Sequence, residues 1–204
     1  MANKLVVAVV VLAILAAGYM LFFSGQSGAF GELKSIFARQ GIDTVNDYLV
    51  DKVVVLESSK RSALKSDLDD FAQSQSGGWQ ELGSTLSLLV DYSENYALFI
   101  DSSNRHAELF SGMTDWLDLC PNLDSLQEFV TVSKKLAQSE SAFESKRSAL
   151  EKNYPNVLSS VKLLAEGDEL VAPTQDMISE AESFNAGLAA DCANPETNFD
   201  VNQT

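Results

Sequence analysis

The chain of 204 residues contains one histidine and two cysteines, and these shortages remove several classes of protein. A carboxylate-bridged di-iron bundle needs two Glu-x-x-His motifs, and a zinc hydrolase normally needs several imidazoles, so His106 alone cannot supply either site. Covalent haem needs Cys-x-x-Cys-His, and that motif is absent. The sequence also lacks a Gly-rich phosphate loop, a nucleophile elbow and an EF-hand loop. It therefore predicts a protein that is not an enzyme and that holds no metal or cofactor.

Basic residues and prolines are also scarce. The chain has 14 Lys plus Arg against 29 Asp plus Glu, which gives a net charge of −15. Such a surface repels phosphate backbones, so we expect no nucleic-acid partner. Adhesion of the whole domain to an anionic membrane is disfavoured for the same reason. With only four prolines and no polar low-complexity tract, wholesale disorder is not expected.

One long apolar stretch stands out from this polar background. Leu5–Phe23 contains no charge, amide or proline. As a helix it would span roughly 28 Å, which is close to the hydrocarbon thickness of a bilayer. Lys4 is the only basic residue before it, which predicts a cytoplasmic N-terminus and a domain outside. The predicted single-pass anchor includes Leu5, Val11, Leu15 and Phe23.

A cleavable secretory signal is the competing interpretation of this stretch. Ser27-Gly28-Ala29 offers small residues of the kind that a signal peptidase reads, so cleavage after Ala29 would give a secreted form. A signal core is usually ~7–15 residues, however, and this one is longer. Tyr19 and the two phenylalanines at its end also suit a membrane interface. An uncleaved anchor is therefore the favoured prediction.

Beyond this anchor, apolar residues recur at helical spacings of three and four. We expect an all-α chain in which residues 1–28 form the anchor and a short linker, 29–195 form an exported helical bundle, and 196–204 form a flexible tail. Gly41 and Ser76-Gly77-Gly78 should separate helices. The predicted helices run from Phe30 to Gln40, from Ile42 to Phe71, from Trp79 to Gly112 and from Leu123 to Asn153, with shorter helices leading to Cys192.

The chain also contains an internal repeat. SKRSAL occurs at residues 59–64 and again at 145–150, and residues 42–48 match 123–129 in type at every position. These matches predict two helical hairpins, 42–122 and 123–195, each closed by a cysteine. Two hairpins with one apolar stripe each would form an antiparallel four-helix bundle. Convergent helix composition is the alternative explanation.

Three groups of side chains are candidates for chemistry. In an exported domain, Cys120 and Cys192 are predicted to form a disulfide, whereas a reducing compartment would leave two free thiols. Asp67, Asp69 and Asp70 form a candidate surface for a cation or a basic partner, with a solvated surface as the ordinary alternative. His106 is expected to be a solvated residue near a helix end.

Residues 145–165, SKRSALEKNYPNVLSSVKLLA, resemble the helix of LemA-type proteins. That helix carries a basic pair, then an aromatic residue and Pro-Asn before an apolar stretch. The resemblance implies an N-terminal membrane helix followed by an exported helical bundle. The rest of the sequence departs from that family, so no family is assigned.

These observations lead to two functional hypotheses. The first is a single-pass, membrane-anchored scaffold or interaction protein of the cell envelope, which binds other envelope proteins or copies of itself. The second is an exported sensor that binds a small ligand or cation in a pocket between the two hairpins. The aromatic residues that could line such a pocket are Trp79, Tyr92, Tyr96 and Trp116.

Overall fold

The computed structural model describes residues 28–43, 45, 49–111, 113–161 and 170–193, and all regular structure among them is helical. The prediction of an all-α chain is confirmed for these residues. None of the described helices is long and apolar enough to cross a bilayer. The predicted anchor residues Leu5, Val11, Leu15 and Phe23 lie outside the described residues. The helices are α1 (28–39), α2 (Leu49–Val54), α3 (Ser58–Ser74), α4 (Gly78–Ser111), a 3₁₀ helix (Trp116–Asn122), α5 (Leu123–Asn153), α6 (Pro155–Leu158) and α7 (Gln175–Ala193).

Two glycines in the left-handed region separate helices where the sequence predicts breaks. Gly41, with φ of 82°, ends α1, and its amide donates to the carbonyl of Ala38 over 3.0 Å. Gly77, with φ of 59°, precedes α4. Only glycine adopts this backbone conformation without a steric cost, so both turns depend on it.

The expected single helix from Ile42 to Phe71 is wrong. A turn at residues 55–57 separates α2 from α3. Arg61 donates from Nη1 to the carbonyl oxygens of Val54 at 3.1 Å and Leu56 at 2.5 Å. These bonds satisfy carbonyls that a helix end leaves without partners, so the break is stabilised by a side chain from the following helix.

The long helices alternate in direction along the chain. Lys65 binds Asp91, and Asp69 accepts a hydrogen bond from Ser87, so α3 and α4 run antiparallel. The ion pairs between Glu81 and Lys146 and between Arg105 and Glu128 set α4 antiparallel to α5. Helix α7 packs on α5 in the opposite direction, with Asn185 Nδ2 donating to the carbonyl of Leu126 over 2.9 Å.

The main core lies between α1, α3, α4 and α5. Helix α1 contributes Leu33, Ile36 and Phe37, all essentially inaccessible to solvent. The predicted bundle of residues 29–195 includes this helix but places it outside the two hairpin units, whereas in the structure it packs fully into this core. The other members include Leu64, Leu68, Phe71, Leu82, Leu86, Leu89, Tyr92, Leu136, Phe143, Leu150 and Val161.

The two copies of SKRSAL occupy different positions in the fold. The first begins within the opening turn of α3, whereas the second ends three residues before the end of α5. Both final leucines, Leu64 and Leu150, are buried in the main core. The duplication of the two hairpins stays a prediction.

The long α4–α5 hairpin has two ends that are built from different partners. We call the first the Gly78 end. It contains the starts of α1 and α4 and the ends of α3 and α5. Phe30 contacts Trp79 there, with ring centroids 6.4 Å apart. At the other, α4 ends, α5 begins and α7 ends beside the 3₁₀ helix. We call that the Cys120 end. Along the 34 residues of α4 the two ends are about 50 Å apart.

Glycines permit the closest helix contacts near the Gly78 end. A Cβ atom added to Gly83 would lie 2.8 Å from Cδ1 of Phe71 and 3.1 Å from Cα of Ala72. At Gly78 it would lie 2.7 Å from Cγ2 of Val157. The Gly83 contact includes the backbone of α3, so α3 and α4 can approach this closely only with a hydrogen at that position.

We predict that Gly83→Ala destabilises the domain although alanine favours helix. The overpacking costs about 1–3 kcal/mol, which exceeds the roughly 1 kcal/mol gained in helix propensity. Gly187→Ala in α7 is the matched control, because its Cβ would meet nothing within 4 Å. In chemical denaturation, the free energy of unfolding of Gly83→Ala should be lower than that of the native protein, and that of Gly187→Ala should be equal or higher. The reverse order would contradict the packing described here.

Candidate functional site

A disulfide bond closes the Cys120 end of the bundle. Cys120 in the 3₁₀ helix is bonded to Cys192 in α7, with Cα atoms 5.6 Å apart and 72 residues of separation. The predicted pairing is therefore confirmed. The bond ties the last turn of α7 to the segment that joins α4 to α5, so it fixes where α7 lies on the hairpin.

The 3₁₀ helix that carries Cys120 starts at a reciprocal cap. Asp115 Oδ1 accepts from the amide of Leu117 over 3.0 Å, and Asp118 Oδ2 accepts from the amide of Asp115 over 3.0 Å. Hydrogen bonds from the Asp115 amide, then from the amide and hydroxyl of Thr114, lower the pKa of the Asp118 carboxyl. The sequence analysis missed this cap, although acidic residues three apart before an apolar run are the signal for it.

A second, smaller core lies beside the disulfide. Leu119, Leu126 and Leu188 are buried together, and Leu109, Phe110, Met113 and Leu123 pack against them. Beside this core, the buried side-chain amide of Asn185 donates a hydrogen bond to the carbonyl of Leu126. The Cys120 end therefore has a core of its own, which the disulfide closes.

His106 lies in a row of aromatic rings, which corrects the expectation of a solvated helix-end residue. Its ring centroid is 4.4 Å from that of Phe129 and 4.7 Å from that of Phe110. The Nδ1 atom is buried without a hydrogen-bond partner among the described residues. Burial lowers the pKa of His106, because the cationic form loses solvation there. The row continues to Phe99 on one side and to Phe184 of α7 on the other.

Tyr92 attaches the segment before α7 to the middle of α4. Its hydroxyl donates to the carbonyl of Val171 and accepts from the amide of the same residue, both at 3.1 Å. Burial raises the pKa of this phenol, the Val171 bond opposes that rise, and nearby Glu140 adds to it. The sequence analysis missed this link, since a contact across 79 residues leaves no local signal.

The aromatic residues proposed as a pocket lining pack into the protein instead. Tyr92 is buried and stacks on Tyr96 with ring centroids 6.0 Å apart. Trp79 packs against the main core and Phe30. The side chain of Trp116 lies outside what the structure describes. The three described residues therefore act in packing.

The three aspartates of α3 do not converge on one point. Asp67 pairs with Arg39 of α1 at 3.1 Å, and Asp69 accepts from Ser87 Oγ of α4 at 2.6 Å. Asp70 is exposed. Two of the three thus connect α3 to neighbouring helices. Among the described residues no group of three or more His, Cys, Asp or Glu side chains is arranged to hold a metal ion.

An open groove runs between α5 and α7. It consists of two parts, one with a volume of about 720 Å³ and the other with a volume of about 310 Å³. Lys134 lines both parts and forms an ion pair with Glu182. The part of larger volume is lined by Lys134, Ala137, Gln138, Ser141, Ala142, Ser145, Gln175 and Ile178.

No family model, curated protein or solved structure matches this chain.

We predict that opening the disulfide lowers the free energy of unfolding by about 4 kcal/mol, because it releases a closed loop of 72 residues in the unfolded chain. The variant is Cys120→Ala with Cys192→Ala, which leaves no free thiol, and chemical denaturation measures the loss. Native protein in reductant is the matched control and should show a similar loss. A loss below roughly 1 kcal/mol in both would contradict the prediction.

We predict that His106 makes the domain less stable in mild acid. Because burial lowers its pKa in the folded state, the unfolded chain binds the proton first as the pH falls. The loss should begin near the ordinary value of 6.5 and grow as the pH falls toward the lowered pKa of the folded state. His106→Phe keeps an aromatic ring and removes the titration, so the stability difference between the two proteins isolates the effect. A difference that does not change with pH would refute it.

Proposed function

We propose that this chain is a single-pass membrane protein whose helical bundle lies outside the cytoplasm and acts as a scaffold or interaction module of the cell envelope. The observation that carries the proposal is the disulfide between Cys120 and Cys192. Structural disulfides persist in oxidising compartments and are rare in reducing ones. The bundle is therefore best accounted for as an exported domain.

The N-terminal sequence supplies the anchor in this proposal. Leu5–Phe23 is long enough for a bilayer, and Lys4 favours a cytoplasmic N-terminus. Ala29, the last residue before the alternative cleavage point, is helical and only 6% exposed. Cleavage after it would remove a core residue from α1, which supports an uncleaved anchor.

Two exposed apolar side chains of α4 are the contact positions in this proposal. Leu89 is buried by the main core, whereas Ile100, three turns later on the same helical face, is 41% exposed. Leu98 is 47% exposed and lies about 200° away around the helix, so the two side chains present separate apolar positions to a partner.

The test combines localisation with partner capture. We expect the full chain to remain with membranes after alkaline extraction and its bundle to be accessible from outside the cytoplasm. Crosslinking before detergent extraction should yield a defined partner or a self-assembly. Leu98→Ser with Ile100→Ser should reduce that product several-fold, whereas Met177→Ser, an exposed apolar residue of α7, should leave it unchanged.

A soluble chain with no membrane fraction would refute the anchor. A chain that is membrane-bound but yields no crosslinked product would refute the interaction role.

Ligand binding is the second candidate function, and the groove between α5 and α7 favours it. The groove lies within the second predicted hairpin unit and not between the two units. A thermal-shift screen with small molecules and divalent cations tests this candidate. Stabilisation that Ser141→Trp abolishes would support it, and no stabilisation by any compound would count against it.

A further inference from the structure

Charge is distributed unequally along the bundle. Around the Gly78 end, residues 28–38, 65–88 and 144–157 contain seven carboxylates against five cations: Glu32, Asp67, Asp69, Asp70, Glu81, Glu144 and Glu151 with Lys34, Lys65, Lys146, Arg147 and Lys152. Around the Cys120 end, residues 101–111, 113–128 and 184–193 contain one cation, Arg105, against Asp101, Glu108, Asp115, Asp118, Asp124, Glu128 and Asp191. Among the described residues, the Cys120 end is therefore the more acidic of the two ends.

The N-terminal segment joins the bundle at the Gly78 end. Residue 28 is the first described residue of α1, and Phe30 contacts Trp79 at the start of α4. Glu32 accepts a hydrogen bond from Gln75 at the end of α3. Only Ser24–Ser27 separates Phe23 from Gly28, so the chain between them can reach at most about 17 Å.

The side chains exposed at this end suit a lipid headgroup layer. Lys152 and Tyr154 are exposed at the end of α5 beside exposed Glu151, and Lys34 is exposed on α1 beside exposed Glu32. Lysines attract anionic headgroups, and an aromatic ring with a hydroxyl prefers the membrane interface. The seven carboxylates of the Cys120 end would be repelled by the same surface.

We infer that the bundle stands on the phospholipid surface on its Gly78 end, with Lys152 and Tyr154 in contact with anionic headgroups. The Cys120 end then projects about 50 Å from that surface. The inference rests on the proposed anchor, because it needs Leu5–Phe23 to lie in the bilayer. It adds a lipid-contact surface and an orientation that the anchor alone does not specify.

The test uses two labelling sites on the same helix. Gln80→Cys and Ala107→Cys are both exposed and uncharged positions of α4, about 40 Å apart. The native cysteines are bonded to each other, so a thiol-reactive fluorophore labels only the new residue. The full chain is reconstituted into vesicles of phosphatidylcholine and phosphatidylglycerol that carry a headgroup-labelled energy acceptor.

We expect energy transfer from position 80 to exceed that from position 107 several-fold. Equal transfer, or stronger transfer from position 107, would overturn the orientation. Flotation of the same vesicles separates the two proposals. A chain that does not float refutes the anchor, whereas a chain that floats with equal transfer refutes only the orientation.

Charge variants test the contact itself. With position 80 labelled, Lys152→Glu should lower the transfer in vesicles that contain phosphatidylglycerol and leave it unchanged in phosphatidylcholine alone. Lys135→Glu is the matched control, because Lys135 is an exposed lysine of α5 far from the Gly78 end. Equal effects of the two variants would overturn the assignment of Lys152 to the headgroup contact.

Discussion

The burial of the first half of α4 is the constraint on which the rest of the structure depends. Three consecutive residues, Thr85–Ser87, are all buried, and successive residues on a helix point about 100° apart, so this part of α4 is covered on most of its circumference. Such burial is possible because Leu86 is apolar and the two polar side chains have hydrogen-bond partners: the Thr85 hydroxyl donates to the Glu81 carbonyl, and the Ser87 hydroxyl donates to Asp69. Gly83 then admits α3 to close contact. Helices α1, α3 and α5 take their places around this surface.

The second half of α4 has fewer neighbours, and its stability comes from different interactions. The aromatic row from Phe99 to Phe184 joins α4, α5 and α7, and the disulfide holds the far end of α7 on the 3₁₀ helix. Tyr92 secures the near side of α7 through Val171. The bundle therefore has a well-covered end and an acidic end closed by a covalent bond. That asymmetry supports both the proposed interaction role and the proposed orientation on the membrane.

Local features of the sequence predicted most of the helices but not the way they pack. Helix α5 begins and ends where the apolar period and Pro155 place it, and Gly41 ends α1 as expected. The break between α2 and α3 escaped prediction because Arg61 stabilises it from the next helix. The contacts of His106 were not predicted either, since the residue type and its place near a helix end do not indicate that the rings of Phe110 and Phe129 pack against it. Of the candidate residues, the two cysteines paired as predicted. Asp67 and Asp69 make separate contacts with neighbouring helices, and Asp70 is exposed.

The sequence by itself determined the helical class, the long apolar segment, the acidic balance and the two cysteines, because each is a property of composition or short-range period. The tertiary structure alone decided that α1 completes the main core, that Tyr92 binds Val171, and that opposite ends of the bundle carry different charge. These features join residues that are tens of positions apart. No local pattern encodes such pairs, since their contacts arise only when the helices settle into one register against α4.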